Sequence, residues 1–335
     1  MIRGHAPPTA SAPMRALLPL TAAVMLAVGC TSGSSGSAKA APFDWADQPL
    51  TDEPGGRSWA KAGSWYSSTP RKWRAQVGGM LDDAGAEPQG RGRVLITPHA
   101  GIKYSGPIAA EAWSRVEVPD LVIILAPDHS RTGPKAAIWD AGPWHLPGHA
   151  FAIDHAVVER AKHHMPTLEP SRVAFRDHEA EMNLPFLAMR NPDARLVVMS
   201  FHDDDSLVFP GFSRQDVQTL GQGLADLLAE LDAQGTESML VLTTDLVHYQ
   251  PVETIEKWDP VFMEQASKWD VAGLRETVEG ERLSFCGEVP VSIGMTAMAL
   301  RDTAPMQWTT RGHSGQTGGK GKDTVVGYGG GARWD

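Results

Sequence analysis

The sequence predicts a layered αβα fold, a single α/β domain around a central, mostly parallel sheet. Four short, apolar, β-branched runs read as strands buried on both faces: Arg93–Thr97 (RVLIT), Leu121–Ala126 (LVIILA), Arg195–Ser200 (RLVVMS) and Ser238–Thr244 (SMLVLTT). Helical patterns fall between them. Over Asp216–Asp232, Val217, Leu220, Leu224, Leu227, Leu228 and Leu231 form one apolar stripe, and Pro107–Val116 and His155–His164 are shorter candidates. No internal repeat stands out and no second linker interrupts residues 60–335, so one domain is expected there.

Composition narrows the function classes. The 335 residues are 42% hydrophobic and 21% charged, which fits a globular chain rather than a disordered or collagen-like one. Net charge is -10. An acidic chain lacks the basic face that phosphate contacts need, so nucleic acid is excluded as a partner. Only Cys30 and Cys286 are present, too few for a disulfide scaffold.

The first 29 residues read as an export signal. Arg3 and Arg15 are its positive flank, no acid precedes Asp44, and Ala16–Val28 is an apolar run of 13 residues. That run is too short to span a bilayer but suits a signal core. It ends in Ala27-Val28-Gly29-Cys30, which resembles the lipobox of bacterial lipoproteins, with Ala27 where Leu is commoner. The resemblance implies cleavage before Cys30 and acylation of that residue. Residues 30–60 then form the lipidated cysteine and a flexible tether, starting with the Gly/Ser/Ala-rich TSGSSGSAKAAP. Residues 61–335 form the folded domain. Cleavage removes two arginines and no acid, taking the charge from -10 to -12, so attachment would rest on the acyl chains rather than on anionic lipid. The expected location is extracytoplasmic, anchored to membrane lipid through Cys30.

Chemistry gathers at the strand ends. RVLIT is followed by Pro98-His99-Ala100-Gly101, and LVIILA by Pro127-Asp128-His129-Ser130. RLVVMS runs into Phe201-His202-Asp203-Asp204-Asp205, and SMLVLTT into Asp245-Leu246-Val247-His248. The carboxyl edge of an open α/β sheet is where ligand crevices form, and histidine and aspartate supply metal ligands and proton carriers. One strand-end histidine is explained by a helix cap or a structural hydrogen bond; four such ends in succession point to a site.

Cys286, in Phe285-Cys286-Gly287-Glu288, has no partner in the chain once Cys30 is acylated, and Gly287 gives backbone room beside it. A lone thiol in an oxidising compartment is either a buried small hydrophobe or a nucleophile, redox sensor or metal ligand. A third feature is Asp177-His178-Glu179-Ala180-Glu181-Met182. A helix there would put His178 and Glu181 on one face, with Asp177 as cap and Glu181 near the capping-box position. Met182 excludes a His-Glu-x-x-His zinc helix. His145, His149, His155, His163 and His164 read as solvated. The RGHSGQTGGKGK stretch around His313 lacks the phosphate-loop order and follows no predicted strand.

Ala62-Gly63-Ser64-Trp65-Tyr66, Pro98-His99-Ala100-Gly101-Ile102-Lys103-Tyr104-Ser105-Gly106 and Asp177-His178 through Glu181-Met182-Asn183-Leu184-Pro185-Phe186-Leu187 resemble the Memo family, as do Asp245 with His248, Cys286-Gly287 and Val326-Gly327-Tyr328. The match runs in order from about residue 61 to the end. Prokaryotic members are called AmmeMemoRadiSam system protein B. The family is similar in fold to the LigB-type class III extradiol dioxygenases. The resemblance implies a metal site of His99, His129 and Cys286, with Asp245 and His248 lining the same pocket and His178 and Glu181 near it. The dioxygenases use two histidines and a carboxylate, so a thiolate in third place alters the chemistry and suits iron or copper ahead of zinc. The chain departs from the family pattern at Asp128 and Ser130 around His129, at Ile102, and at Thr243, Thr244 and Val247. His202 has no counterpart there.

The expectation is therefore a lipid-anchored metalloprotein, a non-haem metal-dependent oxidoreductase acting on an unknown small molecule. Asp245, His248, His178 and Glu181 would be its catalytic groups. The alternative is a non-catalytic metal- or peptide-binding module in the same crevice, and a third reading is a zinc hydrolase with His248 as base.

Overall fold

The computed structural model describes residues 55–202, 211–281, 283–301, 303–318, 321 and 323–335. The leader, Cys30, residues 30–54 of the tether and Asp203 to Asp205 lie outside the described residues. Among the described residues no helix is long and apolar enough to cross a membrane.

Helix α1 (Pro70–Ala84) opens on Pro70, whose fixed φ suits a first helical turn, and closes on left-handed Gly85. Strand β1 (Gly92–Thr97) leads to α2 (Ile102–Ser114), β2 (Leu121–Asp128) and the short β3 (Ala136–Ile138). The hairpin β4 (Trp144–Leu146) and β5 (His149–Phe151) precedes α3 (His155–His164), which Asp154 caps by accepting from the Val157 amide. Then come β6 (Glu169–Pro170), α4 (Leu184–Arg190) and β7 (Arg195–His202). Helix α5 (Arg214–Ala233) starts with a capping box in which Ser213 and Asp216 satisfy each other's backbone amides. Strand β8 (Ser238–Thr243) is followed by α6 (Val252–Ser267), α7 (Val271–Glu281) and α8 (Glu288–Leu300). The chain closes with β9 (Gln307–His313), α9 (Ser314–Thr317) and β10 (Gly327–Trp334).

The large sheet runs β6-β3-β7-β2-β8-β1-β10-β9. Its centre is the four strands expected from sequence, β7, β2, β8 and β1, all mutually parallel. Antiparallel pairings join β3 on one side and β10 and β9 on the other. Strands β2 and β8 are buried at every position, as layers of helix on both faces require. All six stripe residues of α5 are buried, and α5 packs on α8. Gly221 permits that contact, because a side chain there would press within 2.4 Å of Thr296.

Two local expectations change. Helix α2 begins at Ile102, five residues before Pro107, which lies inside the helix and costs it one backbone hydrogen bond. The glycine-rich stretch after His313 does follow a strand, β9; that edge strand is polar (QWTTRGH) and so gives no buried-strand signal.

Candidate metal centre

Parallel pairing brings the carboxyl ends of β1, β2, β7 and β8 to one edge of the sheet. His99 follows β1, His129 follows β2, and Asp245 and His248 follow β8. Cys286 reaches the same point from the turn before α8, where Phe285 bridges to Val247 and stacks on Phe262. The Cys286 Sγ lies 2.8 Å from His99 Nε2 and 2.8 Å from His129 Nε2. These three side chains are close enough to hold one ion. The rings of His99, His129 and His178 stand 5.6 Å apart pairwise. They line a cavity of about 730 Å³ together with Trp65, Lys103, Tyr104, Asp245, His248, Tyr249 and Tyr328.

The surroundings prepare His99 as a ligand. Its Nδ1 is 3.0 Å from Thr243 Oγ1, and Asn183 Nδ2 donates to that same oxygen at 3.0 Å. A proton held on Nδ1 by Thr243 leaves the Nε2 lone pair directed at the sulfur, the usual outer support of a metal-bound histidine. Burial pushes His99 well below the ordinary imidazole range, against the pull of Asp245, and His129, His178 and His248 add to the depression. His99 is thus neutral and can donate an electron pair at physiological pH.

Asp245 holds the β1 loop. Its Oδ1 accepts the backbone amides of His99 (2.9 Å) and Ala100 (3.2 Å). Burial alone would raise its pKa, yet the interactions with His99 and its backbone amide and with His248 keep it well below the usual carboxylate range. Its Oδ2 lies 3.7 Å from His248 Nε2, while His248 Nδ1 donates to the Ser284 carbonyl at 3.2 Å. That bond keeps the proton of the neutral ring on Nδ1 and leaves Nε2, toward Asp245, as the atom that can take up and release a further proton.

The segment around His178 is not a helix. His178 lies in a bend, and a 3₁₀ turn starts only at Glu181, running to Asn183 ahead of α4. The two side chains therefore part. His178 faces the cavity under Trp65, with ring centroids 4.3 Å apart. Its Nδ1 bonds Asp177 at 2.8 Å, and Lys61 holds Asp177 from the other side at 2.8 Å. Asp177 thus orients the imidazole rather than capping a helix, and its hydrogen bond to His178 keeps its carboxyl low. Glu181 is fully buried and does not line the cavity. It accepts from Arg57 Nη1 (2.8 Å), the amides of Ala60 (2.6 Å) and Lys61 (3.0 Å) and the Tyr66 hydroxyl (2.8 Å).

Glu179, next to His178 and not singled out in sequence, is the other buried acid here. Its Oε1 accepts the His129 amide at 3.4 Å, and burial raises it to about 7. Its signal in the sequence was masked by reading the segment as helical. Thr243 and Asn183 enter the sequence reading only through the family pattern, because residues that support a ligand carry no spacing signature.

His202 stays outside the cavity, bonding the Gly133 carbonyl at 3.1 Å and facing Asp128 Oδ2 at 3.6 Å. Asp128 Oδ1 accepts from Ser130 Oγ (2.6 Å) and the Arg131 amide (3.0 Å), shaping the turn that carries His129. His145, expected to be solvated, is buried, and so is His313: His145 lies in the inward-packed β4, and His313 ends β9 beside Gly315. His149 is half-buried, and burial lowers it to about 4.

Gly287 sets the position of the thiol. It has φ 108°, and a Cβ there would lie 2.6 Å from the Thr243 carbonyl oxygen. Gly287→Ala should therefore lower stability by about 1–3 kcal/mol through left-handed strain and overlap, and loosen metal binding by shifting Cys286. Thermal unfolding with and without zinc checks this; an unchanged transition in both conditions would refute it.

Two imidazoles and a thiol that converge within 2.8 Å in a buried pocket suit a metal of borderline or soft character. The residues present fit such an ion, and three protein ligands leave open positions toward the cavity.

Residues 57–332 match the family described as Memo-like protein. A MEMO1 family protein of Saccharolobus islandicus (strain M.14.25 / Kamchatka #1) is 28% identical over 285 residues, covering 80% of this chain and 96% of that protein. One from Sulfolobus acidocaldarius is 31% identical over 288 residues, with the same coverage of each. A crystal structure of the uncharacterized protein JW3007 from Escherichia coli K12 aligns with 71% of this chain and 99% of its own, at 14% identity and a TM-score of 0.42. The chain belongs to the Memo-like protein family.

Proposed function

We propose that this protein is a lipid-anchored metalloprotein with redox or oxygen-dependent activity toward a small molecule, its metal held by His99, His129 and Cys286. The observation that carries the reading is the pair of 2.8 Å approaches of two histidine Nε2 atoms to one buried sulfur. A bound iron or copper would supply redox and oxygen chemistry, which redox-inert zinc would not. The chain's own groups do the rest. Asp245 fixes the His99 loop through two backbone amides and faces His248, whose Nε2 can take or release a proton at the cavity. Trp65 and Tyr104 line the space with aromatic rings, and Lys103 gives it a cation for an anionic substrate group. Glu181 supports this arrangement from outside by holding the segment that bears Trp65.

Metal analysis of the full chain beside Cys286→Ser and His99→Ala tests the site: both variants should lose most bound metal, and equal content in all three would overturn it. Dioxygen or peroxide consumption with Fe(II) or copper then tests activity. A second reading, a non-catalytic metal- or peptide-binding module, draws on Tyr249, which stands 73% exposed at the cavity with φ 53°; a binder shows no turnover. Activity with zinc alone would instead favour a hydrolase using His248 as base. The anchoring at Cys30, and with it an extracytoplasmic site, rests on the Arg3/Arg15 flank, the apolar run and the Ala27-Val28-Gly29-Cys30 junction. Cys30→Ser should move the chain from the membrane to the soluble fraction; unchanged partition would contradict anchoring.

A further inference from the structure

The thiolate set is not the only group of donors at this sheet edge: His129 and His178 line the cavity, and Glu179 is buried next to them. His129, His178 and Glu179 also present ligand atoms that all lie within 4.8 Å of one another. Glu179 is 4% exposed. Among the described residues no lysine or arginine pairs with it; its carboxylate meets the His129 amide at 3.4 Å and His178 Nδ1 at 3.9 Å. A buried carboxylate without a cation is costly, by several kcal/mol on a typical scale. His178 is oriented for ligation in the usual way, with one ring nitrogen held by the Asp177 carboxylate at 2.8 Å and that acid held by Lys61. The His129 amide bond ties Glu179 to the same turn that delivers the shared histidine.

We propose that His129, His178 and the buried Glu179 form a second cation position beside this cavity, harder in character than the His99/His129/Cys286 set and suited to Fe(II) or Mn(II). Two imidazoles with one carboxylate favour such ions, whereas two imidazoles with a thiolate favour softer ones. The chain thereby offers two chemically distinct positions that share His129. Because the harder set contains no sulfur, it stands or falls separately from the thiolate centre.

Two metals used alone as probes separate the sets in the full chain, stripped of metal and kept anaerobic. Mn(II), followed by electron paramagnetic resonance, reports the harder set; the cobalt–thiolate absorption of added Co(II) reports the softer one. Glu179→Gln is expected to weaken Mn(II) binding about tenfold or more while keeping the cobalt–thiolate band. Cys286→Ser is expected to abolish that band while keeping Mn(II) binding. His178→Ala repeats the Glu179→Gln result by a different substitution, and circular dichroism verifies that each variant is folded. The proposal is overturned if wild type fails to bind Mn(II), if Glu179→Gln and His178→Ala bind it like wild type, or if Cys286→Ser loses Mn(II) and cobalt together. Loss of the cobalt band in wild type alone would instead count against the thiolate centre.

Discussion

Glu181→Ala is expected to destabilise the protein by about 3–5 kcal/mol, the cost typical of breaking a buried ion pair from one side. The Glu181 carboxylate is 0% exposed and its partner Arg57 is 6% exposed. Truncation leaves the guanidinium with only carbonyl acceptors, among them Phe175 O at 2.6 Å and Asp177 O. It also strips acceptors from the Ala60 and Lys61 amides and the Tyr66 hydroxyl. Burial, followed by the charge of Glu181, drives the Tyr66 hydroxyl far above its ordinary range, so it stays protonated and donates. The loss extends to the site. Residues 57–66 carry Ser64 and Trp65 to the cavity, and Trp65 packs on His178. Denaturant unfolding should show the lower stability, and Trp65 fluorescence should report greater solvent access; a superimposable unfolding curve would refute the role.

Asp259→Asn has the opposite sign. Asp259 lies in α6 with no side-chain exposure; its Oδ1 accepts the Val247 amide at 3.2 Å, and its Oδ2 has no hydrogen-bond partner. Burial raises this acid to about 7 from an ordinary 3.8. Between those values the unfolded chain has released the proton while the folded chain keeps it, so stability falls as pH rises through that window. At about 1.4 kcal/mol per unit, the full effect is roughly 4 kcal/mol above pH 7. The neutral amide keeps the Oδ1 acceptor and removes the charge. Asp259→Asn should therefore be more stable than wild type at pH 8, with the difference vanishing near pH 4. Parallel stability–pH curves for the two proteins would contradict this.

The parts of the fold legible in sequence are those governed by burial. RVLIT, LVIILA, RLVVMS and SMLVLTT are central strands because nothing polar interrupts them, and the leucine stripe of α5 faces inward for the same reason. Strand β10 (GYGGGARW) gave no such signal. Its glycines are packed by Trp308 and by helix α2, so its side chains contribute little of the burial there. The candidate site was legible where a ligand type followed β1, β2 or β8, as at His99, His129 and Asp245, but His202 at the end of β7 stays outside it. It was not legible where backbone shape decides. A bend, not a helix, separates His178 from Glu181, and the same bend brings Glu179 inward.

The centre itself is tested most directly by X-ray absorption at the zinc edge of the full chain carrying one equivalent of Zn(II). The geometry of His99, His129 and Cys286 predicts one sulfur neighbour at about 2.3 Å together with nitrogen neighbours at about 2.0 Å. A coordination shell of nitrogen and oxygen only would contradict it.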